Sequence, residues 1–311
     1  MKKLFCIVSC LILLTTSLCG CAVREDGRDT DKLKIVCTAF PQYDFLRQIS
    51  GGLADLKMLL KPGAEVHTYE PTPKEIVEIS SCDLFVFCGG DSDEWVEDIL
   101  SSTDNESLTA VKLTDMVETA DEPDFEHDGG GHEDEHELDE HVWTSVKNAK
   151  KITETLCSYL CESDEKNADT YKALTAQYTA RLDRLDLQIR KTINEAKRKE
   201  IIVADRFPFL YFCEEYSLKY YAAYPGCSTS TQESAAAMAF LINKVKSDNI
   251  PVVFHTELSN ENLCDIICES TGAKSRQLNA VHNISLSDFE SGQTYISLME
   301  ENIEVLKEAL N

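Results

Sequence analysis

From Leu33 onward, short unbroken apolar runs alternate with stretches of mixed polarity. Residues 33–38, 55–60 and 83–88 read as buried strands. Residues 41–50 and 71–81 between them read as helices, and Gly51-Gly52 and Gly89-Gly90 act as stops. Strands alternating with helices imply parallel sheets covered on both faces. Around 146–198 the period becomes helical: Leu174, Tyr178, Leu182, Leu185 and Ile189 recur at spacings of three and four. The stripe is too short for a coiled coil, and Ser163-Asp164-Glu165 marks an interruption. The alternation then restarts. Strands are predicted at 200–204, 219–223 and 251–254, and helices at 209–216, 230–247, 260–271 and 294–310, with Pro225-Gly226 as a turn and Gly272 as a cap. The fold class read from this pattern is α/β: two lobes of parallel β-sheet flanked by helices, bridged by a long rigid helix. The lobes are 33–145 and 200–311, and 146–199 links them. Ligand sites in open α/β sheets lie beyond the carboxyl ends of strands, so the cleft between the lobes is the expected site.

Two segments break the pattern. Residues 120–140 are rich in Asp, Glu, His and Gly with almost no apolar side chain, which predicts a mobile surface loop. At the N-terminus, Lys2 and Lys3 precede a mostly apolar run over 4–18, shorter than the roughly 20 residues that span a bilayer. That run ends in Leu18-Cys19-Gly20-Cys21, which resembles a bacterial lipobox. Residues 1–20 are therefore read as a lipoprotein signal peptide, Cys21 as the lipidated residue, and the polar segment 21–32 as a tether. The implied location is the extracellular face of the cell membrane.

Composition narrows the partners. Hydrophobic residues are 43% and charged residues 27%, enough for a packed core. A net charge of -25 argues against nucleic acid, whose phosphates would repel the chain. There are 13 cysteines. Beyond Cys21 they are Cys37, Cys82, Cys88, Cys157, Cys161, Cys213, Cys227, Cys264 and Cys268, an odd set that cannot all pair within the chain. No C-x-x-C occurs, so a zinc knuckle is not expected; Cys37 and Cys88 read as small buried residues in apolar strands.

The histidines locate the chemistry. Of seven, four fall together: His127, His132, His136 and His141, interleaved with acids. Imidazole suits Zn²⁺, Cu²⁺ and Ni²⁺. His67 sits in a loop between a strand and a helix, His141 stands where the acidic loop gives way to folded structure, and His282 follows the last strand candidate.

The segments Pro62-Gly63-Ala64-Glu65-Val66-His67-Thr68-Tyr69-Glu70-Pro71-Thr72-Pro73 and Asp139-Glu140-His141-Val142-Trp143-Thr144-Ser145 resemble the two metal-binding signatures of the zinc/manganese solute-binding lipoproteins of ABC transporters. The His-rich loop resembles that of the zinc members. The resemblance implies one Zn²⁺, carried as transported substrate in the interlobe cleft and delivered to an ABC permease with a separate ATPase. It implies no catalysis, and the one H-E-x-x-H spacing, His132 to His136, falls in the acidic loop and not on a predicted helix. His67 and His141 match the first-lobe ligands. Many zinc members place a third histidine at the start of the second lobe, where this chain has Asp205 and Arg206; arginine stays protonated and cannot ligate. His282 lies near a further family ligand position. The expected set is His67, His141, His282 and Asp205, with Glu257 and His255 as further candidates. His127, His132 and His136 are assigned to metal capture. A monomer is expected. A manganese-specific binder and a surface adhesin with a metal site are the alternatives.

Overall fold

The structure, a computed structural model, describes residues 32–123, 125, 137–226 and 235–311. The signal, Cys21, the tether, Cys227 and the loop histidines His127, His132 and His136 lie outside the described residues. No helix among the described residues is long and apolar enough to cross a membrane.

Two four-stranded sheets, both wholly parallel, form the frame. The first contains β1 (Lys34–Cys37), β2 (Asp55–Met58), β3 (Leu84–Phe87) and β4 (Thr109–Lys112), in the order β2-β1-β3-β4. The second contains β5 (Glu200–Phe207), β6 (Lys219–Pro225), β7 (Val252–His255) and β8 (Lys274–Gln277), in the order β6-β5-β7-β8. The two sheets thus repeat one topology. In each, the connections leave in opposite directions from the two central strands, which opens a crevice at their carboxyl ends.

The helices are α1 (Phe40–Ser50), α2 (Pro73–Ser80), α3 (Trp95–Ser102), α4 (Val146–Ser163), α5 (Ala168–Glu195), α6 (Leu210–Tyr216), α7 (Ala235–Asp248), α8 (Asn262–Thr271), α9 (Leu286–Ser291) and α10 (Tyr295–Ala309). The linking region is two helices, α4 and α5, parted by a 3₁₀ turn at Glu165–Asn167, as the Ser163-Asp164-Glu165 break implied. At 1.5 Å per residue, α5 spans about 42 Å. Of its predicted stripe, Tyr178, Leu182, Leu185 and Ile189 are buried and Leu174 is half-buried, Tyr171 is buried alongside them, and the helix packs on α1, α4 and α10. Residues of both sheets belong to one continuous apolar core.

Four elements were not anticipated. β4 and β8 are edge strands: β8 is Lys-Ser-Arg-Gln with no buried residue, and β4 buries only Val111. Helices α3 and α9 are short, of 8 and 6 residues, and of mixed polarity. One boundary moves in a way that matters. β5 runs past Ala204, because after an irregularity at Val203 its pairing with β6 resumes at Arg206 and Phe207. Asp205 and Arg206 therefore lie within the strand. The eight described cysteines are free thiols, and Cys37 and Cys88 are buried.

Candidate metal centre

Three loops converge on the interlobe crevice. The first follows β2 and carries His67. The second follows the acidic excursion and carries His141 into a 3₁₀ turn at Val142–Thr144. The third follows β8 and carries His282. The structure brings these histidines together: one nitrogen from each lies within 4.8 Å of the others. The ring centroids are 6.0 Å apart for His67 and His141, 5.3 Å for His67 and His282, and 4.9 Å for His141 and His282.

Hydrogen bonds decide which nitrogen two of the rings offer. Ser92, in the turn after β3, donates its hydroxyl proton to Glu140 Oε1 at 2.5 Å. Its oxygen is then free to accept from His67 Nδ1, 3.0 Å away. His67 is so held as the Nδ1–H tautomer, with the Nε2 lone pair turned to the cleft. Asp139 Oδ1 accepts from the His141 backbone N–H at 2.8 Å and lies 3.0 Å from His141 Nδ1. That leaves His141 Nε2, which is buried and has no hydrogen-bond partner. A buried, unpartnered imidazole nitrogen is costly unless something else binds it. A carboxylate or hydroxyl on the second nitrogen is the arrangement that orients metal-ligating histidines.

The His282 loop is held from five sides. Glu257, just past β7, accepts the backbone N–H of Ala280 on Oε2 at 2.7 Å and that of His282 on Oε1 at 2.9 Å. Leu278 N–H donates to His255 C=O at 2.9 Å. Trp143 Nε1 donates to the Ala280 carbonyl at 2.8 Å. Asn283 donates from Nδ2 to the carbonyls of Lys61 and Ala64, in the His67 loop. Ile284 C=O accepts from Gly63 N–H at 2.8 Å. These contacts impose φ +60° on Val281, a conformation a β-branched residue avoids. Such strain costs on the order of 1–3 kcal/mol and persists only where the surroundings over-determine it. Gly90, at φ +102°, is required for another reason: a Cβ there would come within 2.9 Å of the Glu140 Cβ and 2.7 Å of its Oε2.

Burial and charge set the protonation states. Burial, reinforced by His141 and Arg206, drives His67 down to about 3. Burial, then His141, His67 and Arg206, holds His282 well below its ordinary value. For His141, burial pulls downward, but Asp139, with Glu140 and Glu122, outweighs it and the net shift is upward. Burial raises Glu140 to about 7 against the pull of His141 and Ser92. At neutral pH two of the three donors are ready as neutral imidazoles, and any proton in the cluster rests on His141.

The other candidates sit close by but are engaged elsewhere. The structure does not bring Asp205 into the three-histidine group. Its Oδ1 accepts from the Arg206 amide at 2.8 Å, and its Oδ2 accepts from Thr256 N and Oγ1 at 3.1 and 2.7 Å. Both Glu257 oxygens are spent on the His282 loop. His255 Nδ1 lies 3.0 Å from the Thr256 carbonyl, and its Nε2 lies 4.0 Å from Glu261. Sequence reasoning missed Ser92 altogether and gave Asp139 and Glu140 no role. No spacing signals Ser92; only the fold brings it beside a residue 48 positions away.

The donor chemistry fits zinc. A tetrahedral zinc with bonds of 2.0–2.1 Å sets its ligands about 3.3 Å apart, so these nitrogens need close by at most about 1.5 Å. The fold and this cluster define a two-lobed metal-ion-binding protein of the solute-binding kind. The match to a family model described as ZnuA, zinc-uptake complex component A periplasmic, covers residues 35–309, and the chain belongs to that family. It is 32% identical to the high-affinity zinc uptake system protein ZnuA of Bacillus subtilis, over 99% of this chain and 97% of that one. It is 30% identical to the zinc-binding lipoprotein AdcA of Streptococcus pneumoniae over 99% of this chain, and spans 61% of that relative's length. Among solved structures, the zinc-bound ZnuA-like domain of the pneumococcal AdcA superposes with a TM-score of 0.75 at 29% identity, covering 90% of this chain and 99% of that one.

Proposed function

We propose that this protein captures Zn²⁺ through His67, His141 and His282 and delivers it to an ABC permease powered by a separate ATPase. The observation that carries the reading is the convergence of three imidazoles from both lobes, two of them already tied through Nδ1 to Ser92 and Asp139. Three nitrogen donors and no carboxylate within the group favour zinc over manganese, which ranks low for nitrogen ligands. Glu140 Oε1, 3.8 Å from His282 Nε2 and 3.9 Å from His67 Nδ1, supplies countercharge from behind the rings. Glu257 positions His282. Asp205 ties β5 to the turn after β7.

The protein acts as a carrier and not as an enzyme, anchored through Cys21 to the outer face of the membrane and working as a monomer. His127, His132 and His136 gather zinc weakly and feed the cleft. Titration calorimetry with Zn²⁺ tests the assignment: His67→Ala, His141→Ala and His282→Ala should each weaken the tight site at least tenfold. Native affinity in His282→Ala, measured with the acidic loop deleted, would move the second-lobe ligand elsewhere.

A further inference from the structure

Three imidazoles leave a tetrahedral zinc one ligand short. Three nearby carboxylates have both oxygens in structural hydrogen bonds: Asp205 on Thr256 and the Arg206 amide, Glu257 on the His282 loop, Glu140 on Ser92. The remaining charged groups lining the space are Glu65, which also accepts the His67 backbone N–H at 3.3 Å, and Arg206. Arg206 lines one cavity of about 90 Å³ together with His67, His141 and His282. Of its five guanidinium N–H groups, one is used: Nη1 donates to Glu65 Oε1 at 3.0 Å, across the cleft. Glu65 is half exposed, whereas the Arg206 side chain is 21% exposed. A guanidinium fork beside an open metal position is a receptor for a carboxylate, which it matches in plane and charge. The cavity has about three times the 30 Å³ that a water occupies in the liquid, room for a small carboxylate beside the ion.

We propose that the fourth ligand of the bound metal is a small exogenous carboxylate held by Arg206, so that the cargo is taken as a metal–carboxylate unit. The inference rests on the zinc-site reading above. Binding exchanges one metal-bound water for one carboxylate oxygen and leaves the three imidazole bonds in place. The anion also offsets the charge that the ion adds beside a guanidinium. Glu65 is the internal competitor for the same fork.

Cobalt(II) substitution makes the exchange visible, because its d–d absorption reports the ligand set. The protein is loaded with Co²⁺ in a buffer free of carboxylate and titrated with sodium acetate, with acetamide as the neutral control. Native protein should show a saturable spectral change with acetate and none with acetamide. Arg206→Met should weaken acetate at least tenfold, Arg206→Lys should fall between, and Glu65→Gln should bind acetate more tightly than native. A cobalt-loaded native protein indifferent to acetate, or an Arg206→Met protein responding like native, overturns the subsite. Unchanged acetate affinity in Glu65→Gln also counts against it. Native protein that takes up no cobalt overturns the metal-site reading itself.

Discussion

Ser92→Ala removes the hydroxyl that joins His67 to Glu140 and leaves every proposed metal ligand in place. The hydroxyl makes two contacts, to Glu140 Oε1 at 2.5 Å and to His67 Nδ1 at 3.0 Å. Without it, His67 can rotate or change tautomer, and Nδ1–H is no longer enforced. Loss of such an outer hydrogen bond typically costs ten- to a hundredfold in metal affinity, or about 1.4–2.7 kcal/mol. The metal-free protein should suffer too. The Glu140 side chain is fully buried, and a hydrogen bond to a charged group contributes about 1.5–3 kcal/mol. Part of that loss is cushioned, because Glu140 already stands at about 7 and can take up a proton. Competition against a chromophoric zinc chelator gives the affinity, and denaturant unfolding of the metal-free protein gives the stability. If Ser92→Ala binds zinc within twofold of native while His67→Ala loses tenfold or more, the hydroxyl does not orient the ring and the argument for its tautomer fails.

Zinc affinity should fall with acid. The ion needs His141 unprotonated, and Asp139 raises that group against its burial, so affinity drops by up to tenfold per unit as pH falls through the raised value. Protonation of Glu140 below about 7 steepens the loss, and Asp139→Asn should shift the His141 step to lower pH in a calorimetric pH series. In the metal-free protein His67 contributes stability that is lost below about pH 6.5, because the unfolded chain protonates it while the native state, with that group near 3, does not; Glu140, raised to about 7, and Asp93, raised to about 6, act in the opposite sense, so the His67 contribution is read as the difference in urea midpoints between native protein and His67→Ala across that range. Glu257→Gln should weaken zinc about tenfold by loosening the His282 loop, while Asp205→Asn should cost less than threefold; the reverse order in calorimetry would make Asp205 a ligand. Deleting residues 126–136 should lower the zinc stoichiometry and leave one tight site, and loss of the tight site would place it in the loop.

The central strands were readable because both their faces are covered, which forces continuous apolar runs such as Leu-Phe-Val-Phe in β3. Edge strands carry no such demand. β8, Lys-Ser-Arg-Gln, is held by its pairing with β7 and by the ion pairs of Lys274 and Arg276 with Glu308, and its sequence is indistinguishable from a loop. His67 and His141 were legible through their flanking signatures, and His282 through its place after a strand. What surrounds them was not. Ser92, Glu140 and the Arg206–Glu65 pair depend on approaches between residues 48 to 141 positions apart, which chain order does not encode locally. Asp205 looked like a strand-end ligand because the apolar run stops at Ala204. The strand itself continues, and the carboxylate turns to Thr256.

The most direct test of the account is anomalous diffraction at the zinc edge from crystals of the full chain soaked in one equivalent of Zn²⁺. The account predicts one strong peak in the interlobe cleft, at bonding distance from Nε2 of His67, Nε2 of His141 and a ring nitrogen of His282, with Ser92 and Asp139 still on the Nδ1 atoms. A peak coordinated by Asp205 or Glu257 in place of His282, or a principal peak outside the cleft, would contradict it.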